Sequence, residues 1–228
     1  MRKIYIICEG QTEAEFVKSI LRSYFLENGT IVFPITLSTS QPTNQSYKGG
    51  AMSFDRYKKG IVAYLQKKDN CIVTSMIDFY KLSTDFPAYD DSKKITDKYK
   101  RVEFLENAIK EEIGKKIDIY RFLPHIQLHE FESILFSDIK GFKVIYKAIN
   151  IDLNELKEIE DIINEFKNPE LINDGNDTAP SKRLIRIIKK YDKVEYGTMI
   201  AGKIGIETIM SKCQHFREWI EKLIEMSK

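Results

Sequence analysis

Residues 4–13 read Ile4-Tyr5-Ile6-Ile7-Cys8-Glu9-Gly10-Gln11-Thr12-Glu13, an apolar run that ends abruptly on an acid and a glycine. An Ile-rich run of this length, bounded by glycine, is typical of a strand that is covered on both faces. The residues after Gly10 change to helical spacing. The stretch therefore predicts a buried strand that delivers the carboxylate of Glu9 to the carboxyl end of a sheet, where open α/β folds place their ligands.

The same pattern recurs later in the chain, because the apolar run of residues 71–78 also ends on an acid, Asp78. Other elements follow from apolar spacing and from stop signals such as Asn28-Gly29 and Gly114. They predict helices at residues 13–27, 54–67 and 99–114 and strands at residues 31–37 and 117–128. Pro124 indicates an edge or a bend in the last strand. Strands separated by helices indicate parallel crossovers, so we predict an α/β, Rossmann-like fold with a mostly parallel sheet of four to five strands.

The second half of the chain shows no clear strand. Residues 129–166 and 180–226 have helical spacing, and their apolar stripes are typical of helix faces that pack into a core. No Pro/Gly linker separates an independent domain. We therefore predict an α/β domain at residues 1–137 and a helical C-terminal region, residues 138–228, that packs on it.

Composition excludes several classes of protein. The chain has 36 basic and 34 acidic residues, a net charge of +2, so any nucleic-acid surface must be local. Three cysteines, an odd number, fit reduced thiols in the cytosol. No apolar run approaches the ~20 residues that span a bilayer, so we expect a cytoplasmic protein without membrane association. Phosphate-binding loops of the ATPase type and nucleophilic Ser or Cys sites are not indicated.

Glu9 and Asp78 are the central candidates for chemistry. Each ends a predicted buried strand, and adjacent parallel strands lie about 4.8 Å apart, so both carboxylates could converge on one divalent ion. Oxygen ligands suit Mg²⁺, which also offsets the repulsion between two close carboxylates. An alternative interpretation is that both acids only cap the helices that follow their strands.

The segment His129-Glu130-Phe131-Glu132 follows the last predicted strand and could open a helix beside the same cleft. Its imidazole and acids are therefore candidates for the site. Glu130 and Glu132 are two residues apart and would not share one helical face, so we expect at most one of them to point inward. The alternative is a negatively charged first helical turn that the helix dipole stabilises.

Basic groups for a phosphate are predicted in two places. Ser181, Lys182 and Arg183 occupy the first turns of a helix that starts near Pro180, a suitable phosphate cradle, although a solvated basic turn is the alternative. Lys48, in a loop at residues 38–52, and Arg56 could also meet a phosphate, and solvated surface residues are again the alternative. The polar segment 79–99 is predicted to be a loop that lines the site. His125 and His215 are interpreted as structural histidines.

Several of these motifs resemble known families. Glu9-Gly10-Gln11-Thr12-Glu13, with a strand ending Ile77-Asp78-Phe79-Tyr80, resembles the Toprim fold of topoisomerases, primases and related nucleases over roughly the first 130 residues. A closer resemblance, to the bacterial domain-of-unknown-function family 4276, runs almost end to end. Its motifs are Asp78-Phe79-Tyr80, Asp85-Phe86-Pro87, residues 127–138 from Gln127-Leu128-His129 to Phe136-Ser137-Asp138, Asn173-Asp174-Gly175, Thr178-Ala179-Pro180-Ser181-Lys182-Arg183 and Cys213-Gln214-His215-Phe216.

The Toprim resemblance implies roles for individual residues. Glu9 would be the acid–base residue or a metal ligand, and Asp78 a metal ligand. Toprim proteins usually carry a second Asp two residues beyond the first, but this chain has Tyr80 there, a poor ligand for Mg²⁺. The acids that could complete the site are Glu13, Asp85, Glu130 and Glu132.

Two functions follow as hypotheses. The first is a Mg²⁺- or Mn²⁺-dependent nuclease acting on DNA or RNA in anti-phage defence or DNA repair. In it Glu9, Asp78 and Glu13 carry the chemistry, and Glu130 and Glu132 help to hold the metal. The groups expected to bind the nucleic acid are Ser181, Lys182, Arg183 and His129. The second hypothesis is a non-catalytic Toprim-like module that partners an ATPase, suggested by Tyr80. The oligomeric state stays open.

Overall fold

In the part of the chain that the computed structural model describes, five strands form one parallel sheet. Their order is β2-β1-β3-β4, and β5 also pairs with β3. The strands are β1 (Arg2–Cys8), β2 (Thr30–Thr36), β3 (Ile72–Asp78), β4 (Phe122–Leu123) and β5 (Ile126–Gln127). The predicted fold class, a mostly parallel sheet flanked by helices, is confirmed.

The structure describes most of the chain. The described residues are 1–37, 52–67, 69–80, 82–149, 152–172, 175, 177–189 and 191–228. Lys48 and most of its predicted loop lie outside them. Two members of the motif Asn173-Asp174-Gly175, namely Asn173 and Asp174, also lie outside the described residues.

The helices are distributed along the whole chain. A first helical segment comprises α1 (Gln11–Phe16), a π-helical turn (Val17–Leu21) and α2 (Arg22–Glu27). The later α-helices are α3 (Phe54–Leu65), α4 (Tyr89–Ser92), α5 (Lys98–Gly114), α6 (Lys140–Ile149), α7 (Leu153–Glu165), α8 (Pro180–Ile187), α9 (Lys193–Ile204), α10 (Ile206–Lys212) and α11 (Gln214–Ser227). Two 3₁₀-helices, Phe131–Ser137 and Pro169–Leu171, complete the set that the structure describes.

The sheet separates two hydrophobic cores. On one face, Ile7, Val73 and Ile77 pack with residues of α3 and α5. On the other face, strand residues such as Ile4 and Ile6 pack with the first helical segment and with the helices after residue 130. Alternate strand residues point to opposite faces, so a run buried on both sides must be apolar throughout. The C-terminal helices thus share a hydrophobic core with β1.

Two predicted segments differ in detail from the structure. The strand at 117–128 is divided by Pro124 into β4 and β5, which both pair with β3, as the proline indicated. The prediction of one polar loop over residues 79–99 is wrong, because α4 lies within it and α5 begins at Lys98. The aromatic residues Phe79 and Phe86 are buried in this segment and fold it onto the sheet.

Within the described residues, no helix is both long enough and apolar enough to cross a bilayer.

Candidate metal centre

The strand register brings Glu9 and Asp78 together. In the parallel pairing of β1 with β3, Cys8 lies opposite Met76, so the residues that follow both strands emerge at the same edge of the sheet. The Glu9 amide donates to the Met76 carbonyl at 3.3 Å, and Oε2 of Glu9 accepts from the Asp78 amide at 3.0 Å. Glu9 therefore reaches across to the end of β3 instead of capping the helix that follows its own strand.

Asp78 connects the sheet to the segment after β5. Its Oδ1 accepts a hydrogen bond from the Phe131 amide at 2.9 Å, at the start of the first 3₁₀-helix. The capping interpretation thus holds in part, but for a helical turn that lies 53 residues away in sequence. The Asp78 carboxylate therefore links the end of β3 to the start of this 3₁₀-helix.

Glu13 approaches the same place from α1. It is only 7% exposed, and its Oε2 accepts from the amide of Gly10, the N-cap residue of α1, at 2.8 Å. The charge of Glu9 raises the pKa of Glu13, and the charge of Glu13 raises the pKa of Asp78. The short loop Glu9–Gly10 therefore folds back so that two acids from one motif meet the acid at the end of β3.

The segment 129–132 adds two more acids. Glu130 and Glu132 are both buried, and oxygens of Asp78, Glu130 and Glu132 lie within 4.8 Å of one another. The expectation that only one of the two would point inward is wrong. It assumed α-helical spacing, whereas His129 adopts a left-handed conformation with φ 60°, Glu130 is extended, and the helix that follows is 3₁₀.

Glu130 is held from the C-terminal region. Its Oε2 accepts from the Ser181 amide at 2.9 Å and its Oε1 from the Ser181 hydroxyl at 2.8 Å, at the N-terminus of α8. Ser181 is 2% exposed, so it serves as an anchor for Glu130 rather than as an exposed phosphate cradle.

The other predicted substrate-binding residues point elsewhere or stand at the periphery. Arg183 donates through Nε to the Thr178 carbonyl at 2.8 Å and lies over the Phe166 ring. Lys182 is exposed. The His129 ring is buried, and the His129 carbonyl accepts from the Tyr80 amide at 2.7 Å. Asp85, a further candidate ligand, accepts from the Phe54 amide at 2.9 Å at the start of α3.

A lysine that sequence reasoning missed completes the arrangement. Nζ of Lys193, at the start of α9, lies 2.8 Å from Oε1 of Glu132. Burial lowers the pKa of Lys193, but the attraction of Glu132, Glu130 and Asp78 outweighs it and raises the pKa overall. A single lysine carries no signal in the sequence, because lysines are common on exposed surfaces.

We name Glu9, Glu13, Asp78, Glu130 and Glu132 the carboxylate cluster. Burial and mutual repulsion raise the pKa of Asp78 well above its usual range, and they also raise the pKa of Glu9 and of Glu132. The pKa of Glu13 is raised to about 7, first by burial and then by Glu9 and Glu132. Five acids opposed by Lys193 leave an excess of negative potential that a divalent cation would neutralise.

The donor set fits Mg²⁺ or Mn²⁺. Both ions take carboxylate oxygens, and octahedral bonds of about 2.0–2.1 Å place adjacent oxygens about 3 Å apart, a contraction that side-chain rotation supplies from the present spacing. The Tyr191 hydroxyl gives a further sign, since it is buried beside Glu132 and has no hydrogen-bond partner among the described residues. An ordered water or a ligand in the cluster would satisfy it.

These shifts predict how stability depends on pH. The folded-state pKa of Glu13 is raised from 4.5 to about 7, so its contribution to stability is fully present below pH 4.5 and lost as the pH rises through 7. In chelator we expect the free energy of unfolding to fall across this window, by on the order of 3 kcal/mol from Glu13 alone. Mg²⁺ should restore stability mainly at the upper end, because it binds the ionised cluster. Urea denaturation at several pH values measures both effects.

Glu13→Gln is the matched variant, since its amide oxygen can still accept from Gly10. We expect a flatter pH profile for it between pH 4.5 and 7. A wild-type profile that is already flat in chelator, or one that rises with pH, would contradict the assignment.

Comparison with known proteins identifies the family. Residues 8–224 match the family described as Domain of unknown function (DUF4276). No curated protein and no solved structure gave a match. The matched span covers nearly the whole chain and contains the entire carboxylate cluster together with Lys193. The resemblance seen in its separated motifs is therefore confirmed, and the chain belongs to the DUF4276 family.

Proposed function

We propose that this protein is a metal-dependent nuclease of Toprim-like type, acting in the cytoplasm on DNA or RNA. The observation that carries the proposal is the convergence of five acids from three separate segments at the carboxyl edge of a parallel sheet, opposed by one lysine. Burying several acids together destabilises the fold. Phosphoryl-transfer sites contain such groups of acids because the acids bind the metal ions that the reaction needs.

Asp78, Glu132 and Glu9 are assigned to hold the ion. When bound, Mg²⁺ or Mn²⁺ supplies a Lewis acid that stabilises charge on phosphate oxygens. Glu130 keeps the 3₁₀-helix and α8 in position through Ser181, and one of its oxygens remains close enough to join the ligand set. Lys193 holds Glu132 in place and reduces the repulsion within the cluster.

Glu13 is assigned as the general base. Its carboxylate would accept a proton from an attacking water, and in the metal-free chain its pKa of about 7 makes it a stronger base than an ordinary glutamate. The Gly10 amide fixes the orientation of Oε2, which leaves the group directed toward Glu9 and Asp78. In this proposal Glu13 removes the proton from the attacking water.

Basic residues near the end of β3 support a polyanionic substrate. Phe79, the residue after Asp78, has the Arg101 guanidinium over its ring at 4.8 Å and the Lys98 ammonium at 5.8 Å. Both belong to α5, whose N-terminal turn also carries Lys100. We assign these groups and the exposed Lys182 to neutralise backbone phosphates of the substrate. The expected biological setting is anti-phage defence or DNA repair.

The test is cleavage of single- and double-stranded DNA and RNA in Mg²⁺ or Mn²⁺. We expect Glu9→Gln to lower the rate by about a hundredfold, and chelator to abolish cleavage. Glu15→Gln is the control, because Glu15 lies on α1 but pairs with Lys18 at 3.6 Å. If wild type does not cleave, or if Glu9→Gln cleaves as fast as wild type, the nuclease proposal is wrong.

A second candidate is a non-catalytic module that partners an ATPase. Two observations favour it: Tyr80 stands where Toprim proteins usually carry a second acid, and Lys193 already neutralises Glu132. Calorimetric titration separates the two functions. Absence of Mg²⁺ and Mn²⁺ binding at millimolar concentration, together with recovery of an ATPase bound to the protein from its native host, would favour the module.

A further inference from the structure

A second cluster of potential ligands lies away from the carboxylate cluster, between α5, α11 and the turn that joins β4 to β5. It borders a cavity of about 190 Å³ that opens to solvent. Three side chains with ligand atoms meet there: Glu106 from α5, His125 from the turn and His215 from α11. Sequence reasoning treated both histidines as isolated, because they lie far apart along the chain.

The three ligand atoms are already close. Nε2 of His215 lies 3.0 Å from Oε1 of Glu106, and Nδ1 of His125 lies 3.8 Å from the same oxygen. All three atoms lie within 4.8 Å of one another. A tetrahedral site with bonds of about 2.0–2.1 Å places its ligand atoms about 3.4 Å apart. The first separation is thus shorter than that value and the second is longer, each by about 0.4 Å.

His125 is prepared to act as a ligand. It is 1% exposed, so its ring nitrogens are shielded from bulk water. The Gln127 side chain interacts with the ring, as second groups beside ligating histidines commonly do. Nε2 makes no close hydrogen bond to the described residues.

Aromatic stacking holds the His125 ring in place. Trp219 stacks on His125 at a centroid distance of 4.3 Å, and its Nε1 donates to the Thr74 hydroxyl at 2.8 Å. His215 also stacks on His125, at 4.8 Å with the planes 22° apart. Near-parallel rings do not converge on one ion. Binding therefore requires His215, at the edge of the cavity, to tilt toward Glu106.

The charge around the cavity favours a cation. Two further acids, Glu103 and Glu218, line it with Glu106, and Lys222 is the basic residue among the lining groups. Three carboxylates against one ammonium make the local potential negative, which attracts a divalent ion and disfavours an anion.

We propose that Glu106, His125 and His215 bind a divalent transition-metal ion of the zinc class, with the cavity leaving a fourth position for water or a small ligand. Two imidazoles and one carboxylate are the donor set of many zinc sites that keep an open position. Mixed nitrogen and oxygen donors also separate this site from the carboxylate cluster, whose oxygen donors suit Mg²⁺. The two sites should therefore bind their metal ions independently.

The test uses Co²⁺ as a spectroscopic substitute for Zn²⁺, titrated into the full chain in excess Mg²⁺. We expect one Co²⁺ per chain with visible d–d absorption of a four- or five-coordinate site, displaced by Zn²⁺. Glu106→Gln and His215→Gln should each weaken binding by about a hundredfold. Both positions are less buried than His125, and circular dichroism checks that the variants fold.

Two controls keep the outcome decisive. Glu103→Gln removes an acid from the same cavity without touching the three ligands, and it should weaken binding less than about fivefold. Asp78→Asn should leave Co²⁺ binding unchanged even if it abolishes any nuclease activity, so failure of one proposal is distinguishable from failure of the other. Absence of the d–d spectrum in wild type, or its survival in folded Glu106→Gln and His215→Gln, would overturn the inference.

Discussion

Replacing Asp78 with asparagine is expected to lower metal-dependent cleavage by about a thousandfold and, at the same time, to stabilise the metal-free protein. Burial and the charges of Glu13, Glu9, Glu132 and Glu130 raise the pKa of Asp78 well above its usual range. A neutral amide removes that repulsion. Its oxygen can still accept from the Phe131 amide, so the 3₁₀-helix keeps its attachment. A variant that is more stable but less active would indicate that Asp78 serves the activity and not the fold.

Thermal unfolding in chelator at pH 8, next to cleavage in Mg²⁺, measures the two effects. Asp118→Asn is the matched control, because Asp118 is exposed and accepts a backbone hydrogen bond from Tyr120 at 3.0 Å. We expect no gain in stability and no loss of activity from it. If Asp78→Asn lowers the stability of the metal-free protein, the acids are structural and the metal assignment loses its main support.

Replacing Glu170 with alanine is expected to destabilise the fold by about 3–5 kcal/mol. Glu170 is fully buried in the second 3₁₀-helix. Its Oε2 accepts from the Tyr99 hydroxyl at 2.8 Å and from the His215 amide at 3.0 Å, while Oε1 accepts from the Phe216 amide at 2.9 Å. The carboxylate thus satisfies the first amides of α11 and ties that helix to α5. Alanine would leave all three donors without this acceptor.

Urea denaturation reports this loss. Glu170→Gln should fall between wild type and alanine, since it keeps one acceptor oxygen. Glu221→Ala, on the exposed side of α11, should change stability by less than about 0.5 kcal/mol. A loss from Glu170→Ala no larger than that of Glu221→Ala would show that the buried carboxylate does not hold α11 in place.

Sequence patterns predicted the sheet and its first two acids for a definite physical reason. A strand buried on both faces must be apolar throughout, so the polar residue that ends it is conspicuous. Parallel strands then bring such residues to one edge, and the pairing of Cys8 with Met76 does this for Glu9 and Asp78. Both steps depend on local composition and on general rules of sheet topology.

The rest of the site depends on tertiary packing, which leaves little trace in the sequence. The positions of Glu130 and Glu132 follow from a left-handed His129 and a 3₁₀-helix, where periodicity indicated an α-helix. Lys193 reaches Glu132 only because α9 packs beside that turn. Glu106 and His215 meet across 109 residues, and neither lies in a recognisable metal-binding motif.

One short segment of this chain cannot change length. His125, at its beginning, borders the cavity, and Glu130, at its end, belongs to the carboxylate cluster, with β5 fixed between them by its pairing with Ile77 and Asp78. Adding or deleting one residue in β5 would reverse the faces of the strand residues that follow it. We therefore expect such a change to displace His125 or Glu130 and to disrupt the cavity or the carboxylate cluster.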